Sequence, residues 1–159
     1  MSSFVEQIDE IISLAKNLDK LGSEIFETSE KIASAIANLV EKLKIDEYRT
    51  YVVYVDGYAR YLSGDLIKSI EIEKAIVKIE SRNIEITFKS RDNEKVEIDI
   101  GRNSAYYDAI RLALNIDVVE KALSEVINEI KKEIRQKERV LENIKELLNK
   151  YPEITAHSI

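Results

Sequence analysis

Apolar side chains recur through the first 45 residues at alternating steps of four and three. Phe4, Ile8, Ile11, Ala15 and Leu18 form one series, which resumes in phase at Ile25, Ser29, Ile32, Ile36, Leu39 and Leu43. On a helix this spacing gathers them into a narrow stripe, the seam of a coiled coil or antiparallel bundle. Gly22 takes the next place in the series and predicts an end or bend, giving helices over 4–20 and 24–44. Ser3 and Glu6 open the first with a capping-box pattern, each side chain meeting an orphan backbone amide. Ala33, Ala35 and Ala37 are small enough to let a neighbouring helix approach closely. The stripe makes Ile25, Ile32, Ile36, Leu39 and Leu43 the candidate subunit interface, with self-association as the expected consequence.

Near Asp46 the period falls to two. Tyr48 to Val55 is rich in β-branched and aromatic residues, which suit a pleated surface. Asp56-Gly57 offers a type I′ turn, predicting a hairpin between 48–55 and 58–62. Residues 66–80 read as helix or strand, and a strand over 75–80 is preferred because its successors need a partner. Those successors are clear: Ile84, Ile86 and Phe88, then Val96, Ile98 and Ile100, alternate with polar residues over 84–89 and 95–100. Each strand therefore has one face toward a core and one toward water.

Past Gly101 the helical period returns. Asn103-Ser104 reads as the cap of a helix over 104–115, and Asp117 with Glu120 as the capping box of a helix over 117–150. Pro152 ends it, and 152–159 reads as a flexible tail. The fold class is α+β, a helical domain (an antiparallel helix bundle with a long C-terminal helix) interrupted by a small antiparallel β-meander. Residues 1–47 and 104–151 make the helical part, and 48–103 the inserted β-domain. The last helix spans roughly 50 Å at 1.5 Å per residue, against a radius of gyration of about 15 Å for a compact domain of this size. Its far end needs either the N-terminal helices or another subunit.

Composition narrows the chemistry. The absence of cysteine excludes disulfides, thiolate metal sites and thiol catalysis. Four glycines, one proline, abundant Ile and charge dominated by Lys and Glu match a thermophilic archaeal source. No apolar run approaches the ~18 residues of a membrane span, and nothing signals export, so the cytoplasm is the expected compartment and no membrane partner is expected. Net charge is −6, with −5 carried by residues 1–47. A surface that grips phosphate all round is excluded.

No phosphate-cradle, dinucleotide or nucleophile-elbow motif is present. The one histidine, His157, cannot build a triad or a zinc site by itself. The acidic residues are interspersed with Lys at helix-pair spacing, so no enzyme, cofactor or metal is expected. Two surfaces are candidates for nucleic-acid or partner contact. Lys132, Arg135 and Arg139 share one helix face at a spacing suited to successive phosphates, although Glu129, Glu133, Glu138 and Glu142 surround them. Arg49, Tyr51 and Arg60 belong to a segment crowded with Tyr48, Tyr54, Tyr58 and Tyr61, where aromatic and guanidinium groups suit base stacking or a protein interface.

In layout the chain resembles the small subunit of archaeal type I-A CRISPR interference complexes. The segments carrying the likeness are Ile32-Ala33-Ser34-Ala35-Ile36-Ala37-Asn38 and Asn103–Asn115. The resemblance implies a non-catalytic subunit that packs along a ribonucleoprotein by helix-mediated subunit contacts and assists target nucleic-acid binding. Its implied partners are other subunits and the backbone of crRNA or target DNA. The acidic net charge departs from a strong nucleic-acid binder and puts subunit packing first. The alternative is a homo-oligomeric structural or adaptor protein of an archaeal virus or plasmid, without a nucleic-acid role.

Overall fold

The computed structural model describes residues 3–156; His157 lies outside them. The chain runs α1 (Phe4–Val40), β1 (Arg49–Val53), β2 (Tyr58–Ser63), β3 (Leu66–Glu71), β4 (Lys74–Glu80), β5 (Asn83–Lys89), β6 (Lys95–Gly101), α2 (Tyr106–Lys150) and α3 (Glu153–Ala156). The α+β class with helical ends around an antiparallel meander is as the periodicities predict.

The first helix is capped as expected: the Glu6 amide donates to Ser3 Oγ and the Ser3 amide to the Glu6 carboxylate, both at 3.2 Å. It does not stop at Gly22. The two expected helices, 4–20 and 24–44, are one continuous helix that ends at Val40. A helical glycine costs about 1 kcal/mol relative to alanine, which neighbouring turns readily carry in a helix of 37 residues. A hydrogen bond from the Arg82 amide to the Leu43 carbonyl (2.6 Å) and an Arg82–Glu41 ion pair (3.2 Å) pin the segment after α1 to the β4–β5 turn.

The sheet corrects the hairpin expectation. β1 pairs not with β2 but with β4, and the four-stranded order is β1-β4-β5-β6, all antiparallel. β2 pairs with β3 across a two-residue turn at Gly64-Asp65, where Gly64 sits at φ +62°. Burial alternation explains the choice. Tyr51 and Val53 are buried and lie opposite Val77 and Ala75, which are buried on the same face. Asp56-Gly57 joins two separate sheets, with Gly57 at φ +134°. The ambiguous stretch 66–80 holds two strands, so 75–80 is a strand as preferred and 66–71 is one that the periodicity leaves undecided.

The stretch of α2 from Val118 to Val126 packs on the sheet. Val118, Val119, Ala122 and Val126 join Tyr51, Val77, Ile86, Phe88 and Ile98 in a single core. Each large side chain fully buried there stabilises the fold by ~1.5–3 kcal/mol. The helical and β parts therefore share one core. The break expected between 115 and 117 appears as a kink within α2, with Asn115 at φ −124°, ψ 15°. Ser104 does not cap the helix; its hydroxyl accepts from the Gly101 amide (2.8 Å) and donates to the Asp99 carbonyl (2.6 Å). Asp108 closes the first turn instead, accepting from the Ala105 amide at 2.9 Å. Beyond Pro152, where the sequence predicts a loose tail, α3 adds one helical turn.

Candidate assembly and nucleic-acid surfaces

Two stretches of helix leave the core altogether. Every described residue of 3–28 is exposed, and so is every residue of 134–156. Large apolar side chains are among them. Ile11 is 65 % and Leu18 70 % exposed on the first arm, as are Val140, Ile144 and Leu147 at half or more on the second. Most of a helix's stability in a protein comes from packing its apolar face, and contiguous apolar surface on one face marks a contact site. The first part of the 4-3 stripe read from the sequence, Phe4 to Ile25, is therefore surface, whereas Ser29 farther along it is buried. Of the five residues singled out as interface, Ile25, Ile32 and Leu39 are exposed, while Ile36 and Leu43 are half-buried. The α1 arm joins the body where the Phe26 ring meets Tyr106 at 4.9 Å and where Ser29, Ala33 and Val40 are buried.

The basic triad is brought together as expected. Lys132, Arg135 and Arg139, with Gln136, line one shallow concavity on α2. Lys132 is held by Glu129 at 3.3 Å. The tyrosine–arginine segment is not one surface. Tyr48, Tyr54 and Tyr58 are exposed, but Tyr51 is buried and belongs to the core with β1. Its hydroxyl makes no hydrogen bond and is pushed up in pKa by burial and then by the neighbouring Glu133 carboxylate, with Arg49 pulling the other way. Arg49 pairs with Glu133 at 3.2 Å, and Arg60 donates to the Leu114 carbonyl at 3.1 Å and meets Asp117 at 3.4 Å. Both guanidinium groups are spent on holding α2 against the strands.

The residue that sequence reading missed is Asn115, which is fully buried. Its side-chain oxygen accepts from the Arg60 amide (2.6 Å), and its nitrogen donates to the carbonyls of Arg60 and Arg111 (both 2.8 Å). One amide side chain thus pairs with a strand backbone as another strand would, and fixes the β2–β3 hairpin to the kink. A signal was available: Leu112, Asn115, Val119, Ala122 and Val126 keep the 3-4 spacing, so Asn115 is a polar residue on an apolar stripe.

Carboxylates crowd one row of the sheet. Glu85 lies opposite Asp99 in the β5–β6 register, and the Asp108 carboxylate stands close by, accepting from the Asp99 amide at 3.0 Å. Burial, then Asp108, raises the Asp99 carboxyl above its ordinary value; burial, then Asp99, does the same to Glu85. A raised carboxyl pKa means that the folded state binds the proton more tightly, so these groups gain stability as the pH falls from neutral. Asp99→Asn should accordingly raise the melting temperature at pH 7, and its advantage should shrink as the pH approaches about 4, where the ordinary carboxyl range begins. Thermal melts of both proteins over that range check this, and an advantage independent of pH would refute it.

An open cleft of about 660 Å³ is lined by Asp56, Glu71, Glu73, Asp92 and Glu94 with one cation, Arg91. Its charge repels phosphate. Among the described residues no group of three or more His, Cys, Asp or Glu is placed to hold a metal ion, and no helix is long and apolar enough to cross a membrane. Compared with protein-family models, curated proteins and solved structures, the chain matches none.

Proposed function

We propose that this chain is a non-catalytic assembly subunit that joins other subunits through its helices. The observation that carries the reading is the pair of exposed helical arms bearing apolar stripes, residues 4–28 of α1 and 134–150 of α2. Helices of this kind draw most of their stability from packing the apolar stripe against another element, and nothing within the single chain covers it along the arms. In its specific form, the reading is the small subunit of a CRISPR RNA-guided interference complex. The layout of helix, β-meander and helix supports it, as does the basic face Lys132, Arg135 and Arg139, which is available for a crRNA or target-DNA backbone. The second reading, a homo-oligomeric structural or adaptor protein of an archaeal virus or plasmid, is favoured by the net charge of −6 and by the engagement of Arg49 and Arg60 with α2.

Two measurements in sequence separate the readings. Sedimentation velocity should show an oligomer that Ile11→Asp with Leu18→Asp reduces to monomer without lowering the melting temperature of the core, because both residues are exposed in the single chain. A strictly monomeric parent protein at high concentration would defeat self-association. Filter binding to single-stranded RNA and duplex DNA then tests the nucleic-acid role. Each phosphate contact contributes about 0.9 to the slope of log affinity on log salt for duplex DNA, so three cations give a slope of about two to three and affinity no tighter than about micromolar. Loss of binding in Lys132/Arg135/Arg139→Glu supports the CRISPR form; no binding by the parent protein at low salt favours the alternative.

A further inference from the structure

The two arms carry opposite charge. Residues 4–28 hold six acidic and two basic side chains, a net −4, whereas residues 134–150 hold five basic and three acidic, a net +2. Pairing like arms from two copies sets −4 against −4 or +2 against +2. Pairing unlike arms sets −4 against +2, which is the complementary choice. Within one chain the arms do not cover each other, since both are exposed along their length.

Their stripes also fit. The first arm presents Phe4, Ile8, Ile11, Ala15, Leu18, Gly22 and Ile25, and the second Ile127, Ile130, Ile134, Lys137, Leu141, Ile144 and Leu148; both keep strict 4-3 spacing over 22 positions, about 33 Å. Lys137 decides the direction. It lies at the position that a parallel pair sets against Phe4, Ile11, Leu18 or Ile25, all large. An antiparallel pair sets it against Ile8, Ala15 or Gly22. With Lys137 opposite Ala15, its methylene stem has room to run out to solvent. The same register places Phe4 over Leu148 and sets Gly22, which has no side chain, over Ile130, itself half-buried against the core of its own chain. A shift of one heptad either sets Lys137 on Ile8 or carries Phe4 past the end of α2 at Lys150. Beside the seam this register brings Lys131 near Asp19 and Val140 near Leu14.

From this we infer that the α1 arm of one copy pairs antiparallel with the α2 arm of a second copy of this chain, Ala15 facing Lys137. The inference rests on the assembly reading above and names its partner. The chain has no cysteine, which makes the test direct. Ala15→Cys and Lys137→Cys are made in separate chains, mixed at low salt and oxidised, and Ala15→Cys is mixed with Leu148→Cys as the out-of-register control. The mixed disulfide joining the Ala15→Cys chain to the Lys137→Cys chain should exceed both the control and either homodisulfide by about tenfold, since a disulfide needs Cα atoms within roughly 7 Å. Yields that do not differ, or a predominant homodisulfide, overturn the pairing. So does a chain carrying both substitutions that closes on itself and yields no dimer. Sedimentation of the unmodified protein tells the two failures apart. An oligomer without the mixed disulfide sinks only this pairing, whereas a monomer sinks the assembly reading with it.

Discussion

Replacing Asn115 with alanine will cost about 3 kcal/mol of folding stability, the order expected when buried backbone groups lose their partners. The substitution removes the acceptor for the Arg60 amide and the donor to the carbonyls of Arg60 and Arg111. It also removes the residue that breaks the helix, and alanine favours straight helix, so α2 is drawn away from the hairpin it now clasps. For a domain of this size the loss is a drop of about 6–12 °C in melting temperature. Hydrogen exchange should show the damage concentrated in β2 and β3, with β5 still protected. A variant within about 0.5 kcal/mol of the parent protein, the range of ordinary surface changes, would contradict this account of the kink.

The second large effect is at Gly101, and it turns on the sign of one substitution at two places. Gly101 sits at φ +134°, and a Cβ there would run into the Arg82 carbonyl oxygen and lie 3.0 Å from the Asn83 Cα. Both obstacles are backbone, one in the β4–β5 turn and one at the start of β5, so neither yields by a rotamer change. Gly101→Ala should cost roughly 3 kcal/mol, combining a conformation rare for side-chain-bearing residues with the displacement of a paired strand. Gly22→Ala should do the opposite. A Cβ at Gly22 meets nothing within 4 Å, and alanine is the better helix former by up to ~1 kcal/mol. Chemical denaturation of the two variants checks both, and a Gly101→Ala protein as stable as its parent would show that the β4–β5 turn yields easily.

Sequence reading went furthest where periodicity is strict. The alternation of Ile84, Ile86 and Phe88 and of Val96 and Ile98 located β5 and β6, because one buried face leaves no freedom in register. It failed at Asp56-Gly57. A turn dipeptide reports local chain reversal but not which strand comes alongside, and here the buried row of Tyr51 and Val53 found Val77 and Ala75 instead. Gly22 misled for the opposite reason: a local penalty of ~1 kcal/mol is small beside a long, well-propagated helix. Of the candidate surfaces, the stripe of α1 and the face of Lys132, Arg135 and Arg139 were legible, being repeats along one helix. The roles of Arg49, Tyr51 and Arg60 were not, since their partners Glu133, Asn115 and Asp117 lie 55 to 84 residues away.

The strand order has a kinetic side. β4, β5 and β6 are neighbours in sequence, joined by the turn at Ser81-Arg82 and a five-residue loop, 90–94. β1 reaches β4 only after the chain has closed a loop over 54–73, within which β2 and β3 zip on their own two-residue turn. Closing that loop instead of a five-residue one adds about 1.2 kcal/mol of entropic barrier, at ~0.6 for each doubling of length. The meander over 74–101 is therefore the natural nucleus, and β1 is its last addition, arriving with α2, whose Glu133 holds Arg49. In pulse-labelled refolding the amides of β5 should gain protection before those of Thr50 to Val53; the reverse order would place nucleation in β1. A half-folded chain would meanwhile carry an unpaired β4 edge with Val77 uncovered, the most aggregation-prone stage of its folding.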